Sequence, residues 1–304
     1  MYTPALLRRV NDLCAELGDR LEIRFYGHYD EVFDAEALTH LPDVKRLSVD
    51  CLTTIRNEVE IGRLPYLEQL SFGVFDFDQP HFLGSLPLSN LRRLVISETA
   101  KRNFDLAPLA QAQHLRVLFL NGHTRNVEAI GALPLLSELT LSAMPKTRSL
   151  GFLSDVAALR TLTLILGGRV NLDEFRHPLL KEFNVIRVRG LETIGDLARF
   201  PYLRRLSVED QLQLRTIDVA GTELRRLSLF NCKNLARIKG LDALGELEEF
   251  RTGGTNLDLD GLRDRPWPPS LRVLALYRSS RLWNLATRRH LDGLGYREFS
   301  ERDA

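Results

Sequence analysis

The sequence predicts an α/β repeat fold, a solenoid in which short parallel strands stack from one repeat to the next. The pattern apolar-x-x-apolar-x-apolar recurs eleven times at intervals of 21–24 residues, with Thr252 in place of the last apolar residue in the tenth repeat. A period this regular indicates one supersecondary unit, which buries its apolar face only by stacking on its neighbours. The first apolar position of the pattern falls at Val44, Leu67, Leu91, Leu115, Leu136, Leu159, Leu180, Leu203, Leu224, Leu247 and Leu271.

Residues 1–40 precede the first repeat and are predicted to form an N-terminal cap. A helix is expected over residues 3–17, because Thr3 can cap its start and Gly18 can end it. A strand follows at residues 21–25, and the two elements would cover the apolar end of the first repeat. The apolar residues that recur at helical spacing are Leu6, Val10, Leu13, Cys14 and Leu17.

Each repeat is predicted to supply one short strand whose side chains alternate between a buried and an open face. Identical strands at a constant interval pair in parallel, which leaves about 15 residues for each return segment. Because these segments contain Pro and Gly, we expect turns, 3₁₀ segments and short helices there. A proline, which costs little at a strand start, stands two residues before the first apolar position in six repeats, at Pro42, Pro65, Pro134, Pro178, Pro201 and Pro269.

The unbroken repeat favours a single domain over residues 1–304, although 304 residues could hold two globular domains. About eleven repeats fill residues 41–283, and residues 284–304 are expected to form a C-terminal cap. The apolar residues assigned to this end are Leu282, Leu285, Leu291, Leu294 and Phe299.

One segment carries a resemblance to a known family. Residues 224–241, LRRLSLFNCKNLARIKGL, are similar to a short leucine-rich repeat, L-x-x-L-x-L-x-x-[N/C]-x-L-x-x-I-x-G-L. Residues 127–133 and 191–197 resemble its second half. The resemblance implies a curved, right-handed solenoid with a parallel sheet on the concave face and short helices or turns on the convex face. It also implies that the protein binds other proteins.

The chain departs from the family pattern at the ninth repeat position, where Asn or Cys usually satisfies buried backbone groups. Only Cys232 fits, so the turns after the strands are expected to be held by other means. The ninth positions are Leu52, Phe75, Thr99, His123, Met144, Gly167, Val188, Gln211, Cys232, Thr255 and Ser279.

Composition gives no reason to expect a nucleic acid or a membrane as partner. The net charge is +1, from 41 Lys and Arg against 40 Asp and Glu. The three cysteines are far apart, which favours neither a disulfide framework nor a zinc site. A charge appears by the eighth residue and no apolar run could span a bilayer, so we expect a cytoplasmic protein. An effector secreted without a cleavable signal would look the same.

Linear motifs for catalysis, phosphate binding or metal-dependent hydrolysis are absent from the sequence. We therefore expect no enzyme, no cofactor and no small-molecule substrate. Residues 256–261 fit half of a calcium loop, but Trp267 stands where the last ligand would be Glu. Residues 75–82 combine two aspartates with His81, and their aromatic residues favour packing over metal binding.

The third, fifth and seventh positions of each repeat are predicted to face outward on the concave side. Eleven strands about 4.8 Å apart would give a surface on the order of 50 Å long, which exceeds what a standard protein interface requires. Aromatic, aliphatic and arginine side chains are typical of binding hot spots. The predicted partner-binding residues are Arg46, Arg93, Val95, Val117, Phe119, Glu138, Ile165, Glu182, Ile186, Arg205, Glu209, Arg226, Phe230, Glu249, Arg251 and Tyr277.

The second repeat position is basic in eight repeats, and we call these residues the basic row. Such a row could bind an acidic partner or a phosphate backbone. We favour the other interpretation, in which the row shields the sheet edge, with long side chains lying over apolar groups and charges in water. The basic row comprises Lys45, Arg92, Arg116, Arg160, Lys181, Arg204, Arg225 and Arg272.

The sequence thus predicts a non-enzymatic scaffold that binds a partner protein on its concave face, with an inhibitor or immunity-type protein as a sharper version. The alternative is a bacterial effector or a nucleic-acid-associated protein that uses the basic row. The residues identify no particular partner.

Overall fold

A computed structural model describes residues 2–27, 32–97 and 103–299 of the chain. These residues form two compact units. Unit 1 lies within Met1–Met144 and Gly151–Leu159, and unit 2 lies within Pro145–Leu150 and Arg160–Ala304. The predicted single domain stays a prediction.

Unit 1 contains a sheet of six parallel strands and a separate parallel pair. The six strands pair in the order β1-β3-β5-β6-β7-β8, and β2 pairs with β4. The strands are β1 (Ile23–Tyr26), β2 (Val32–Asp34), β3 (Arg46–Leu52), β4 (Thr54–Arg56), β5 (Gln69–Val74), β6 (Arg93–Ile96), β7 (Val117–Asn121) and β8 (Glu138–Ser142).

Unit 2 has the same plan, with six parallel strands in the order β9-β10-β11-β13-β15-β16 and a separate β12-β14 pair. The strands are β9 (Thr161–Ile165), β10 (Glu182–Ile186), β11 (Arg205–Glu209), β12 (Thr216–Asp218), β13 (Arg226–Phe230), β14 (Arg237–Lys239), β15 (Glu249–Gly253) and β16 (Val273–Tyr277).

Short elements fill the return segments, as the Pro and Gly content predicts. The α-helices are α1 (Pro4–Leu17), α2 (Val59–Gly62), α3 (Leu259–Asp264) and α4 (Arg281–Gly293). The 3₁₀ segments are Gly18–Arg20, Ala35–His40, Phe82–Ser85, Ala107–Gln111, Val127–Ala132, Gly151–Asp155, Leu197–Arg199 and Leu241–Ala243.

The core follows the repeat without exception at its first, fourth and sixth positions. In the fifth repeat, for example, Leu136, Leu139 and Leu141 are at most 1% exposed. Neighbouring strands pair in phase with the repeat, so Leu118 of β7 lies opposite Leu139 of β8. Because equal positions meet across the sheet, apolar residues stack on apolar residues and form the core.

The N-terminal cap has the predicted elements but a different buried face. Thr3 Oγ1 accepts a hydrogen bond from the Leu6 N–H at 3.2 Å, and Gly18 adopts a left-handed φ of 58° after the helix. The predicted face is wrong at Leu6, because Leu7 and Cys14 are the residues that α1 buries. The predicted Leu13 is also 47% exposed.

The C-terminal end begins with a longer helix than the short return segments. Helix α4 starts at Arg281, three residues before the predicted cap, and the Ser280 hydroxyl accepts a hydrogen bond from the Trp283 N–H. Among the leucines assigned to this end, Leu291 is 1% exposed whereas Leu282 is 81% exposed.

The ninth position closes the turn after the strand in individual ways. Gln211 donates through Nε2 to the Glu209 carbonyl at 2.8 Å, and the Cys232 thiol lies 3.3 Å from the Phe230 carbonyl. His123 instead accepts a hydrogen bond from the Phe104 N–H at 3.0 Å through Nδ1. The expectation of varied partners is therefore confirmed at these positions, while Thr99 lies outside the described residues.

A second feature of these turns leaves only a partial signal in the residue types. The eighth position adopts a left-handed backbone, with φ between 52° and 76°, in eight repeats. Two of the eight are glycine, and aspartate and asparagine at two more tolerate this conformation, so the other four turns are held against the ordinary preference of L-residues. The eight residues are Cys51, Gly122, Ala143, Leu166, Arg187, Asp210, Asn231 and Gly254.

Candidate partner-binding surface

The open face of each sheet is formed by the third, fifth and seventh repeat positions. In β7, Val117, Phe119 and Asn121 are half-buried, whereas Leu118 and Leu120 between them are at most 1% exposed. The same alternation recurs in β9, β10, β11 and β13. The sequence-predicted binding residues therefore lie on the solvent side of the strands, with one exception described below.

In unit 1 the structure brings Val95, Val117 and Phe119 together, and we call them the Phe119 patch. Val95 of β6 lies directly opposite Phe119 of β7, and Val117 lies two residues earlier on the same strand. Arg93 and Glu138 occupy the strands on either side of Val117, and both are exposed. The result is a small apolar centre with a charged rim, which is the arrangement of binding hot spots.

Arg46, the first predicted contact of unit 1, is tied to the N-terminal cap. It forms an ion pair with Glu22 at 3.1 Å and donates to the Asp19 carbonyl at the same distance. Glu22 also accepts a hydrogen bond of 2.5 Å from the Ser48 hydroxyl. Arg46 therefore holds the cap on the first repeat.

In unit 2 four neighbouring third positions carry charged residues that form ion pairs. Glu182 lies 3.3 Å from Arg205, and Glu249 lies 3.7 Å from Arg226 and 2.7 Å from Arg251. Glu249 is the exception among the predicted contacts, because it is only 7% exposed. Its carboxylate is covered by the two arginines, so it positions them instead of facing solvent.

The seventh positions of unit 2 carry the apolar part of its open face. Ile165 and Ile186 lie opposite each other on β9 and β10, and Glu209 follows on β11. Phe230 and Tyr277 converge over the strand between them, with ring centroids 6.4 Å apart. We call these two residues the aromatic pair.

The aromatic pair depends on Gly253, which lies between the two rings on β15. A Cβ at this position would stand 3.0 Å from the Tyr277 Cβ and 3.3 Å from the Phe230 ring. Glycine therefore leaves the room in which the rings approach each other.

The C-terminal residues lie against this end of the open face, which the sequence does not reveal. Arg297 pairs in parallel with Val273 of β16. The Tyr277 hydroxyl then donates a hydrogen bond of 2.6 Å to Glu298, and Phe299 lies 5.7 Å from the Arg251 guanidinium. Burial and the neighbouring Glu298 carboxylate together raise the pKa of Tyr277 to about 12, so the phenol stays protonated.

Half of the basic row is neutralised by neighbouring glutamates. Glu68 lies 3.6 Å from Lys45 and 3.2 Å from Arg92 in unit 1. In unit 2, Arg204 pairs with Glu223 at 2.5 Å and Arg225 pairs with Glu248 at 2.9 Å. These pairs favour the shielding interpretation of the row.

Two buried arginines away from the open face were not singled out by the sequence. Arg169 pairs with Glu174 at 2.5 Å, and Arg199 pairs with Asp173 at 2.8 Å while stacking on Phe200. Burial lowers the pKa of both guanidinium groups. In the sequence, each pair is visible only as an arginine and an acid within return segments. Such combinations are also common on exposed surfaces, so they do not predict burial.

The described residues contain no group of three His, Cys, Asp or Glu side chains able to hold a metal ion. The calcium-like stretch forms a helix start instead, because Asp258 Oδ1 accepts a hydrogen bond of 3.0 Å from the Gly261 N–H. Within the described ranges, every helix is too short or too polar to cross a lipid bilayer.

Comparisons with known proteins bear on the fold. The sequence matches no protein-family model, and it matches no curated protein. An internalin (inlF) of Listeria monocytogenes is similar in structure, with a TM-score of 0.50, 15% identity, 93% of this chain covered and 91% of that chain covered. A second internalin of that organism (inlC2) has a TM-score of 0.47, 17% identity and coverages of 68% and 84%. A leucine-rich repeat protein of Leptospira interrogans has a TM-score of 0.33, 14% identity and coverages of 88% and 97%.

The likeness to the first internalin, at 15% identity and a TM-score of 0.50, shows the fold and nothing about partners. It agrees with the repeat register, the parallel sheets and the short return elements described above. We conclude that this chain has the leucine-rich repeat fold.

Proposed function

We propose that this protein is a non-enzymatic scaffold that binds a partner protein on the open face of its sheets. The observation that carries the proposal is the Phe119 patch, an aromatic and two valines that stay half-exposed on a hydrogen-bonded sheet with a charged rim. In unit 2 the aromatic pair and Arg205 offer the same combination of chemistry.

Rigid presentation supports this function physically. Each strand is hydrogen-bonded along its length to its neighbours, and its inward side chains are buried. A surface that is already ordered loses little conformational entropy on binding, so modest contacts can give useful affinity. A few central aromatic and arginine residues then carry most of the binding free energy.

The test is a pull-down with the full chain as bait, followed by affinity measurements on the partner identified by mass spectrometry. We expect Phe119→Ala and Phe230→Ala each to lower the affinity for that partner by at least about tenfold, the loss typical of a hot spot. The matched controls are Tyr66→Ala and Tyr202→Ala, which truncate aromatics 55% and 53% exposed just before the first repeat position. The proposal fails if every open-face variant, including Arg205→Glu, binds like the wild type.

An inhibitor or immunity-type role in the cytoplasm is the more specific form of this proposal. It predicts that adding the chain at a ratio of about one to one abolishes the activity of a partner enzyme or toxin. A partner that keeps full activity in the saturated complex would instead support recruitment.

The alternative, an effector or nucleic-acid-associated protein, would use the basic row. It predicts binding that weakens steeply with salt and is lost in Arg204→Glu and Arg225→Glu. Both of these arginines are already ion-paired with glutamates, so we do not adopt it.

A further inference from the structure

Two arginines lie directly opposite each other on the open face of unit 2. Arg205 of β11 and Arg226 of β13 are register partners on adjacent strands, which places their backbones about 4.8 Å apart. Like charges in direct opposition destabilise a sheet unless something compensates them. We call these residues the arginine pair.

Among the described residues, the acids that compensate the pair lie on its outer sides. Glu182 lies 3.3 Å from Arg205 on the strand before, and Glu249 lies 3.7 Å from Arg226 on the strand after. The order across the sheet is therefore acid, arginine, arginine, acid. The side chains of Arg205 and Arg226 remain 41% and 25% exposed, so solvent or a ligand can reach them.

The surface next to the arginine pair can donate further hydrogen bonds. Ser207 and Ser228 follow on the same face of the same strands, are register partners and are half-buried. A hydroxyl group can donate to a carboxylate oxygen. Because serine is small, these two positions leave room above the sheet for a side chain from outside.

The far end of the same strands has different chemistry. Phe230 ends β13 and meets Tyr277 in the aromatic pair, while Glu209 ends β11. The third and seventh positions of a repeat, such as Arg226 and Phe230, are about 13 Å apart along the strand, at roughly 3.3 Å per residue. An anionic group at one end and an apolar group at the other would both find complementary surfaces.

From this arrangement we propose that the arginine pair binds a carboxylate of an acidic segment of the partner protein, with an aromatic residue of that segment on the aromatic pair. The inference rests on the proposed function and names the chemistry of its partner. An extended segment of the form acid-x-x-x-aromatic spans the distance between the two surfaces. Guanidinium groups suit this role because each can donate two parallel hydrogen bonds to a carboxylate.

The flanking acids favour a peptide over a polyphosphate chain. Glu182 and Glu249 stand on either side of the arginine pair, and Glu209 lies at the end of the strand. A nucleic acid backbone that crossed this face would place phosphates against these carboxylates. One or two peptide carboxylates fit between them without that repulsion.

The chain's own C-terminal residues show that acid and aromatic groups suit this part of the face. Glu298 accepts the Tyr277 hydrogen bond at 2.6 Å, and Phe299 lies against Arg251. These contacts involve residues beside the arginine pair. The described ion pairs of Arg205 and Arg226 are those with Glu182 and Glu249.

The test is selection of random dodecapeptides displayed on phage against the immobilised full chain, followed by affinity measurements on synthetic copies of the enriched peptides. We expect enriched peptides to contain Asp or Glu and an aromatic four positions apart, in one consistent order. Their affinity should fall at least tenfold in Arg205→Gln/Arg226→Gln and recover in large part in Arg205→Lys/Arg226→Lys. The glutamine variants avoid the charge repulsion that glutamate would introduce beside Glu182.

Arg225→Gln is the matched control, because Arg225 precedes Arg226 on the chain but belongs to the basic row. It should change peptide affinity less than twofold, and circular dichroism should show all variants folded. Enriched peptides without acids, or with affinities unchanged in the glutamine double variant, would overturn the proposal. If Phe230→Ala or Phe119→Ala still lowered the affinity for those peptides, the proposed function would stand without the arginine-pair site. If no open-face variant lowered that affinity, the proposed function and the arginine-pair site would both be wrong.

A single-stranded oligonucleotide of about twelve nucleotides is the second probe. Tighter binding of this oligonucleotide than of the acidic peptides, lost in the same glutamine variant, would assign the arginine pair to nucleic acid and overturn the peptide proposal.

Discussion

At the ninth repeat position, single side chains decide how the turn after each strand is held. Gln211 and Cys232 use side-chain donors toward backbone carbonyls, whereas His123 uses an acceptor toward a backbone N–H. The sequence predicts that the position departs from the family pattern. It does not predict these partners, because each depends on which backbone group the neighbouring repeat presents.

His123 makes the stability of unit 1 depend on pH. Its ring is 1% exposed and stacks on Phe104 at 4.5 Å, and burial lowers its pKa to about 4. The ring is therefore neutral, and Nδ1 must stay unprotonated to accept the Phe104 hydrogen bond. The folded state binds fewer protons than the unfolded state between the unfolded pKa near 6.5 and the folded value. The contribution of neutral His123 to the free energy of unfolding is therefore complete above pH 6.5 and is lost as the pH falls from 6.5 toward the folded pKa of about 4.

We expect His123 to lower the free energy of unfolding by about 1 kcal/mol between about pH 7 and pH 5.5. The variant His123→Asn, which restores the family residue at this position, should remove that part of the pH dependence. Urea unfolding of both proteins at the two pH values measures the change in the free energy of unfolding. The carboxylates are the same in both proteins, so their contribution cancels when the two changes are compared. Equal pH dependence in the two proteins would contradict this account of the ring.

At the scale of the strand, the repeat predicts most of what is observed. Its first, fourth and sixth positions form the core, and the strands pair in phase, because a period of two fixes which side chains face inward. Helix faces are harder to predict, as Leu6 and Leu7 show: both are apolar, and Leu7 is buried on a helix that packs against the segment Ala35–His40. The left-handed eighth position is only partly visible in the residue types, since alanine and leucine occupy it in Ala143 and Leu166.

The β15 strand offers a test of how the aromatic pair is built. We expect Gly253→Val to destabilise the protein by about 1–3 kcal/mol, because the added atoms would overlap the Tyr277 Cβ and the Phe230 ring. The thermal unfolding midpoint should fall, and the near-ultraviolet dichroism of the two aromatics should change. Gly245→Ala is the control, because a Cβ there has no described neighbour within 4 Å. A Gly253→Val protein as stable as the control would contradict this expectation, because the two rings would then have moved apart at no cost in stability.

At the scale of the whole chain, the sequence predicts the repeat architecture and which strand positions face outward, but not the details of the surface. Arg205 and Arg226 appear in the sequence as two members of a column of variable positions. Their opposition and their outer glutamates follow only from strand register. Contacts of Glu298 and Phe299 could not be predicted either, because the segment after α4 has no repeat pattern to fix its path.

The single-domain prediction concerns how the repeats fold. The repeat intervals between Leu136, Leu159 and Leu180 are 23 and 21 residues, the same as elsewhere in the array. Repeats coupled to their nearest neighbours unfold together when the coupling exceeds the instability of single repeats. We therefore expect one cooperative transition for the full chain.

Leu118→Ala in β7 tests that expectation, because Leu118 is 1% exposed and its truncation should cost about 2–5 kcal/mol. In a single cooperative array, native-state hydrogen exchange should show lower protection in β10 and β11 as well as in β7. Phe183→Ala in β10 provides the reciprocal variant, since Phe183 is fully buried in unit 2. Loss of protection confined to the unit that carries each substitution would show instead that the two units fold independently, and the chain would then count as two domains built from one repeat.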